Sequence, residues 1–210
     1  SDVYKRQAID LLINNAGVVN TEYSETIDGI ENTFAVNHLG YFLFTNLLLD
    51  LVKKESESRI INVSSAAHHF VKGMQWDDIN YKDDFKMGLK AYGQSKLGNI
   101  LFTKQLAKKL QKDGVTVNAI HPGGVNTSLG NQNNSLLGRV LKIILKPFFR
   151  SPLKGANTII YLAEIDGLSI TGAYWVDGRV AKTSHYSKNE AEAEKLWRLS
   201  EKLVNQEFDI

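Results

Sequence analysis

The sequence predicts an α/β protein built on a doubly wound parallel sheet. Three short apolar segments bounded by Asn and Gly are predicted strands, with a fourth candidate over residues 173–176; the three are 9–13, Arg59–Val63 and 115–120. Long helical patterns separate them. Continuous apolar strands joined by helices form parallel sheets that are covered by helices on both faces. The order of these segments therefore favours one sheet between two helical layers.

Apolar residues at helical spacing predict the intervening helices, over residues 27–54, 89–112 and 153–162. A last helix is predicted to begin at the capping box Ser187-Lys188-Asn189-Glu190. The chain has no internal repeat and no Gly-rich or Pro-rich linker that would divide it. In a doubly wound sheet, ligand sites collect beyond the carboxyl ends of the strands. We therefore expect functional residues directly after the strands.

Composition narrows the classes of function. The 210 residues, 43% of them hydrophobic, suit one domain with a sizeable core. The net charge of +2 gives no overall attraction to nucleic acid, so no nucleic-acid partner is expected. The absence of cysteine excludes disulfide scaffolds, thiolate metal sites and cysteine nucleophiles, and favours a reducing, intracellular compartment. No apolar run of about 18 residues is evident, and no signal peptide opens the chain.

The beginning of the chain is unusual. Residues 1–7 (SDVYKRQ) lead directly into the strand at 9–13, without a methionine or any earlier element. We interpret the chain as a fragment in which 1–7 are a non-native leader, translated from adapter sequence, and 8–210 are the catalytic part of a single domain. Continuous coding sequence upstream of residue 1 would contradict the leader interpretation.

The central candidate for chemistry is the motif Tyr92-Gly93-Gln94-Ser95-Lys96. Tyr92 and Lys96 are four residues apart on a predicted helix, so they share one face. A free tyrosine hydroxyl titrates near pH ~10 and is a poor base at neutral pH unless a nearby cation stabilises the phenolate. Lys96 can be that cation. Such a tyrosine can accept the proton of an alcohol as hydride leaves its carbon, or return the proton to a carbonyl.

Four further motifs follow the predicted strands or lie in the adjoining helices. They are Asn14-Asn15-Ala16-Gly17, then Asn37 within Asn37-His38-Leu39-Gly40, Ser64-Ser65, and His121-Pro122-Gly123-Gly124-Val125-Asn126-Thr127. Each has an ordinary structural explanation by itself, as a turn, a satisfied helix polar residue, a helix cap or a loop. Their order along the chain, together with Tyr92 and Lys96, makes coincidence a poor explanation.

In this order the motifs resemble those of the short-chain dehydrogenase/reductase family. The resemblance implies a Rossmann-like three-layer α/β/α fold, here lacking its first strands and helices, and an NAD(P)-dependent enzyme that interconverts an alcohol and a carbonyl. It assigns the acid/base role to Tyr92, pKa control to Lys96, the substrate oxygen to Ser65 rather than Ser64, and support of a water chain to Asn37. The implied cofactor contacts, which also include Tyr92 and Lys96, are Asn15, Ala16, Gly17, Pro122, Gly123, Val125 and Thr127.

The chain resembles the retinol dehydrogenases from about residue 9 to 208. Two features carry this resemblance: the longer stretch between Ser65 and Tyr92, and the motif Leu97-Gly98-Asn99-Ile100-Leu101-Phe102-Thr103. That resemblance implies NADP, with NAD as the alternative, and a lipophilic alcohol or aldehyde such as retinol or retinal as substrate. It also suggests a homo-oligomer paired through the helices that hold Asn37 and Tyr92. Two other readings stay open: a non-catalytic fragment or interaction module, and a steroid- or prostaglandin-type carbonyl reductase on the same fold.

Two further features of the sequence are a histidine pair and a basic segment. His68 and His69 have no third residue at metal-ligand spacing, so we interpret them as a loop pair and expect no metal. Residues 136–150 form a basic amphipathic pattern that predicts a lid over the substrate pocket or a helix docked on an anionic membrane surface. Cytoplasmic and membrane-associated locations, at the endoplasmic reticulum or mitochondria, both remain open.

The family's Gly-rich phosphate-binding turn and the residue that selects NAD or NADP are expected before residue 9 and are not in the sequence. The choice of NADP therefore depends on the resemblance alone. Without those elements one edge of the strand at 9–13 is expected to be exposed.

Overall fold

The computed structural model describes residues 8–55, 57–123 and 151–210. Four parallel strands and one antiparallel strand form a single sheet in the order β1-β2-β3-β4-β5. The strands are β1 (Leu11–Asn14), β2 (Arg59–Val63), β3 (Thr116–His121), β4 (Tyr174–Val176) and β5 (Arg179–Val180). The predicted parallel sheet is therefore confirmed. Within the described ranges β1 pairs with β2 alone, so its other edge has no strand beside it.

Helices flank the sheet as the sequence predicted. They are α1 (Asn32–Val52), α2 (Leu89–Lys109), α3 (Pro152–Glu164) and α4 (Glu190–Leu203). One 3-10 turn follows β2, at Ala66–Phe70, and another precedes α4, at His185–Lys188. Helix α1 contains a π-helical segment, Ala35–Leu39, between two α-helical parts.

Two helix starts differ from the prediction. Helix α1 begins after Glu31, whose carboxylate accepts hydrogen bonds from the amides of Thr33 (2.8 Å) and Phe34 (2.7 Å) and so caps the helix. The capping box at Ser187 is wrong, because Asn189 caps α4 by accepting from the amides of residues 191 and 192. Ser187 instead lies in the preceding turn and donates to the Ser184 carbonyl.

Helix α1 is long and apolar enough to cross a membrane by length and composition, which the sequence analysis had not recognised. Half of its apolar window is buried in the fold, where Phe42 and Leu49 pack with Leu106 of α2 and with Val117 of β3. The apolar character of α1 is thus explained by its packing against both β1 and α2.

Candidate active site

The motifs that follow β1, β2 and β3 meet at one edge of the sheet. Because these strands are parallel and adjacent, the residues after Asn14, Val63 and His121 emerge on the same side. These residues include Asn15, Ala16 and Gly17 after β1, Ser65 after β2, and Pro122 and Gly123 after β3. Val125 and Thr127 lie outside the described residues, as do the predicted leader at 1–7 and the amphipathic segment at 136–150.

Helix α2 brings Tyr92 and Lys96 to this edge, one helical turn apart. The Lys96 side chain is only 3% exposed, and its Nζ lies 5.6 Å from the centre of the Tyr92 ring. Burial lowers the pKa of Lys96 to about 8, so the amine is charged at pH 7. Burial raises the pKa of Tyr92, while a hydrogen bond from Ser65 opposes that change. The Lys96 cation and the Tyr92 phenol therefore lie close together in a buried pocket.

Ser65 is held beside Tyr92 by the 3-10 turn that it caps. Its backbone is extended (φ −162°, ψ 158°), and its Oγ accepts a hydrogen bond from the Ala67 amide at 3.2 Å. The turn lies close against α2 at Gly93, where an added Cβ would be 2.7 Å from the Ala67 carbonyl oxygen. This close approach explains the glycine next to Tyr92.

Ser64 has a different task from Ser65. It is buried, and its hydroxyl donates to the carbonyl oxygen of Lys96 at 2.7 Å, which ties the end of β2 to α2. The hydroxyl of Ser64 is therefore engaged by the backbone of α2, and the role of Ser65 stays a prediction.

Asn37 joins the turn after β1 to helix α2. Its Oδ1 accepts from the Val18 amide at 2.7 Å, and its Nδ2 donates to the Val18 carbonyl at 2.9 Å and to Ser95 Oγ at 3.1 Å. Ser95 in turn donates to the Tyr92 carbonyl. Asn37 occupies the π-helical segment of α1, a distortion that is common at functional sites. Asn37 and Ser95 thus fix the spacing between α1 and the Tyr92 turn of α2.

Tyr41 is a member of the site that the sequence analysis missed. Lys96 Nζ lies 5.7 Å from the centre of its ring, so the ammonium contacts the rings of both Tyr41 and Tyr92. The Tyr41 hydroxyl is buried and has no hydrogen-bond partner within the described ranges. Tyr41 follows Asn37 by four residues, and that helical spacing was the available signal.

The residues of this edge fit a nicotinamide cofactor. Lys96 Nζ makes one hydrogen bond within the described part of the chain, to the Val63 carbonyl at 3.0 Å, and an ammonium has three N–H donors. Gly17 lies against the same amine, since an added Cβ would be 3.6 Å from Lys96 Nζ and 3.1 Å from Asn37 Oδ1. Asn15 and Ala16 of that turn are exposed. A buried cation with spare donors beside an exposed strand-end turn is suited to a polar ligand such as a ribose.

The rings of His68 and His69 lie in contact, tilted by 38° with their centres 4.0 Å apart. Both nitrogens of His68 are used by protein groups, the Ser65 carbonyl and the Ser184 amide. Among the described residues, no three His, Cys, Asp or Glu side chains are grouped so as to hold a metal ion. The pair lies in the 3-10 turn after β2, where backbone groups engage both ring nitrogens of His68.

Comparison with known proteins agrees with this geometry. The family profile described as enoyl-(acyl carrier protein) reductase, a profile of short-chain dehydrogenases/reductases, matches residues 3–178. Retinol dehydrogenase 14 of Mus musculus is 43% identical over 201 residues, which cover 93% of this chain and 59% of that protein. The chain thus spans about three fifths of the length of this curated relative.

Solved structures show the same fold. A protein from Mycobacterium paratuberculosis, 31% identical, superimposes with a TM-score of 0.74 over 97% of this chain and 70% of that chain. A blue fluorescent protein from a metagenomic library, solved in complex with NADPH, is 25% identical with a TM-score of 0.57. That match covers 79% of this chain and 62% of the other.

Proposed function

Because the chain belongs to the short-chain dehydrogenase/reductase family, we propose that its site interconverts an alcohol and a carbonyl with a nicotinamide cofactor. The observation that carries the proposal is the convergence of Ser65, Tyr92 and Lys96 at the carboxyl edge of the sheet. Two hydroxyl donors and one buried cation are what proton transfer to a carbonyl oxygen requires.

In the direction of reduction, Tyr92 donates its phenolic proton to the carbonyl oxygen while Ser65 donates a hydrogen bond to the same oxygen. Lys96, whose Nζ lies 5.6 Å from the centre of the Tyr92 ring, is charged and stabilises the phenolate that Tyr92 becomes. Burial acts in the opposite direction, since it raises the pKa of Tyr92. The nicotinamide cofactor supplies the hydride when bound. In oxidation the Tyr92 phenolate, stabilised by the charged Lys96, accepts the proton of the alcohol.

Lys96 and the turn of Asn15, Ala16 and Gly17 are the described residues that would hold the nicotinamide ribose, and Pro122 and Gly123, which follow β3 at the same edge of the sheet, are proposed as further cofactor contacts. We propose NADP as the cofactor. The NADPH in the structure of the 25% identical relative supports this choice.

The proposed substrate is a lipophilic alcohol or aldehyde of the retinol and retinal type. Support comes from the 43% identity to a protein named retinol dehydrogenase 14. Residues 136–150 lie outside the described residues, so the lid and the membrane-docked helix remain sequence predictions.

The test is reduction of all-trans-retinal with NADPH and NADH by the protein expressed from the complete open reading frame that contains this chain. Tyr92→Phe removes the proton donor and keeps the ring, so we expect kcat to fall about 10²-fold or more. Tyr161→Phe removes an exposed hydroxyl on α3 and is the matched control, with activity unchanged. Wild-type protein that reduces no carbonyl with either cofactor would contradict the proposed function.

A further inference from the structure

His68 is a fully buried side chain whose two ring nitrogens have opposite partners. Its Nδ1 lies 2.6 Å from the carbonyl oxygen of Ser65, and its Nε2 lies 3.1 Å from the backbone amide of Ser184. A carbonyl oxygen only accepts and an amide only donates, so Nδ1 carries the proton and Nε2 is the acceptor. This arrangement requires a neutral ring. Burial lowers the pKa of His68 to about 4, so the ring is neutral at pH 7.

The two partners of His68 are far apart in sequence. Ser65 caps the turn after β2, whereas Ser184 opens the turn His185–Lys188 that leads into α4. The ring also packs edge-on against Tyr174 of β4, with centres 5.1 Å apart. His68 therefore connects the loop of the candidate catalytic serine to the segment before the last helix.

The contact of His68 with Ser65 restricts the orientation of Ser65. Its carbonyl oxygen receives two hydrogen bonds, one from the His68 ring and one from the His68 amide at 3.2 Å. Its Oγ accepts from the Ala67 amide, which leaves the hydroxyl proton for another acceptor. Fixing the peptide plane after Ser65 thus restricts where this hydroxyl can lie relative to Tyr92.

We propose that His68 is a positioning residue that holds Ser65 in the geometry needed to donate to the substrate oxygen, and that the backbone of Ser184 holds His68. The proposal rests on the proposed function, because it assigns Ser65 a role in the reaction. A donor in an active site is effective only when it is preset near the charge that develops, and small misplacements cost rate rather than binding.

The first test separates the two nitrogens by amide substitutions in the full-length protein. His68→Asn can place its side-chain NH2 where Nδ1 lies and so keep a donor to the Ser65 carbonyl. His68→Gln reaches toward the Nε2 position and loses that donor. We expect His68→Gln to lower kcat about 10-fold with KM changed less than about 2-fold, and His68→Asn to retain kcat within about 3-fold. His69→Gln, at the exposed neighbour, is the control with unchanged kcat.

The second test removes only the donor to Nε2. Ser184 has φ −58°, which proline adopts without strain, so Ser184→Pro deletes the amide N–H and preserves the backbone angle. Ser184→Ala keeps the N–H and removes the hydroxyl, which makes it the matched control. We expect kcat to fall about 3-fold in Ser184→Pro, no more than in His68→Asn, which lacks the same contact, and to stay unchanged in Ser184→Ala.

Hydrogen exchange of the Ala67 and His68 amides gives a readout that does not depend on activity. Faster exchange in His68→Gln than in His68→Asn supports the positioning role, as does the matching order of kcat values. Equal kcat and equal exchange in the two variants would overturn it. Wild-type protein without activity would instead contradict the proposed function, and the exchange rates would still decide whether His68 fixes the Ser65 turn.

Discussion

Lys96 is a single residue whose buried charge lowers the stability of the folded protein. The amine is buried with one hydrogen-bond acceptor within the described ranges, and burial lowers its pKa from 10.5 to about 8. A shift of one pKa unit corresponds to about 1.4 kcal/mol, so the buried charge costs the folded state about 3 kcal/mol at pH 7. Contact with the rings of Tyr41 and Tyr92 offsets part of the desolvation.

We therefore predict that Lys96→Met abolishes activity and raises the free energy of unfolding at pH 7 by about 1 to 2 kcal/mol, the remainder being lost with the hydrogen bond to Val63. The Val63 carbonyl stays satisfied because Asn99 Nδ2 also donates to it at 3.2 Å. Urea unfolding of the two proteins measures the difference, and Lys108→Met, at an exposed position of the same helix, serves as the control.

The pH dependence of that difference has a definite sign. The unfolded state binds the Lys96 proton more tightly than the folded state between pH values of about 8 and 10.5, so stability of the wild type rises relative to Lys96→Met across this range. The advantage of the variant is complete below about pH 8 and shrinks above it. A variant less stable than wild type at pH 7 would show that the buried lysine is compensated in the fold.

For helices and strands, sequence patterns predicted the bounds correctly where buried residues follow a regular pattern. They failed where a single capping residue sets the start of a helix. The bounds of β2, Arg59–Val63, match the prediction because every residue from Ile60 onward is buried and the apolar run ends at the site. Helix α1 was predicted to start at residue 27, yet the capping Glu31 delays it. Local hydrogen bonds of this kind leave little trace in hydropathy.

The candidate site also has residues that could be predicted from the sequence and contacts that could not. Helical spacing placed Tyr92 and Lys96 on one face of a helix, whereas Asn37 and Ser65 were assigned by the family resemblance. The catalytic roles of all four residues remain predictions. The contact of His68 with Ser184 could not be predicted, since it depends on how the chain returns 116 residues later.

The contact between α2 and the Ser65 turn gives a prediction for these elements. In Gly93→Ala the new Cβ would be 2.7 Å from the Ala67 carbonyl oxygen, a backbone atom that cannot rotate away. We expect the helix and turn to separate, with kcat falling about 10-fold and stability falling by about 1 to 3 kcal/mol.

Gly40→Ala is the matched control for Gly93→Ala. Its Cβ would make an ordinary contact of 3.6 Å with the Ala35 carbonyl, in a helical position with φ −59°. Here we expect stability to rise by about 0.5 to 1 kcal/mol, since alanine is the better helix former. Thermal unfolding and steady-state kinetics of both variants measure these effects. Equal behaviour of the two would contradict the close approach at Gly93.

At the scale of the whole molecule, α4 covers helices α1 and α2. Its Trp197 is 2% exposed and packs against Phe42 of α1 and Phe102 of α2, with ring centres 4.9 and 5.9 Å apart. The family resemblance implies subunit pairing through these two helices. Where α4 covers them, a second subunit would have to displace it, so we expect no pairing through this part of their surface.

This arrangement predicts that Trp197 is needed both for stability and to keep the apolar face of α1 and α2 covered. Trp197→Ala removes the packing on Phe42 and Phe102 and the hydrogen bond from its indole to Glu201, so we expect a loss of about 3 to 5 kcal/mol. Lys202→Ala, at an exposed position of the same helix, is the control and should change stability by less than about 0.5 kcal/mol. Urea unfolding measures the loss, and sedimentation velocity at several concentrations should show self-association in Trp197→Ala alone, because exposed apolar patches drive association. A Trp197→Ala protein as stable as the control would mean that α4 does not hold this face, and pairing of subunits through α1 and α2 would again be open.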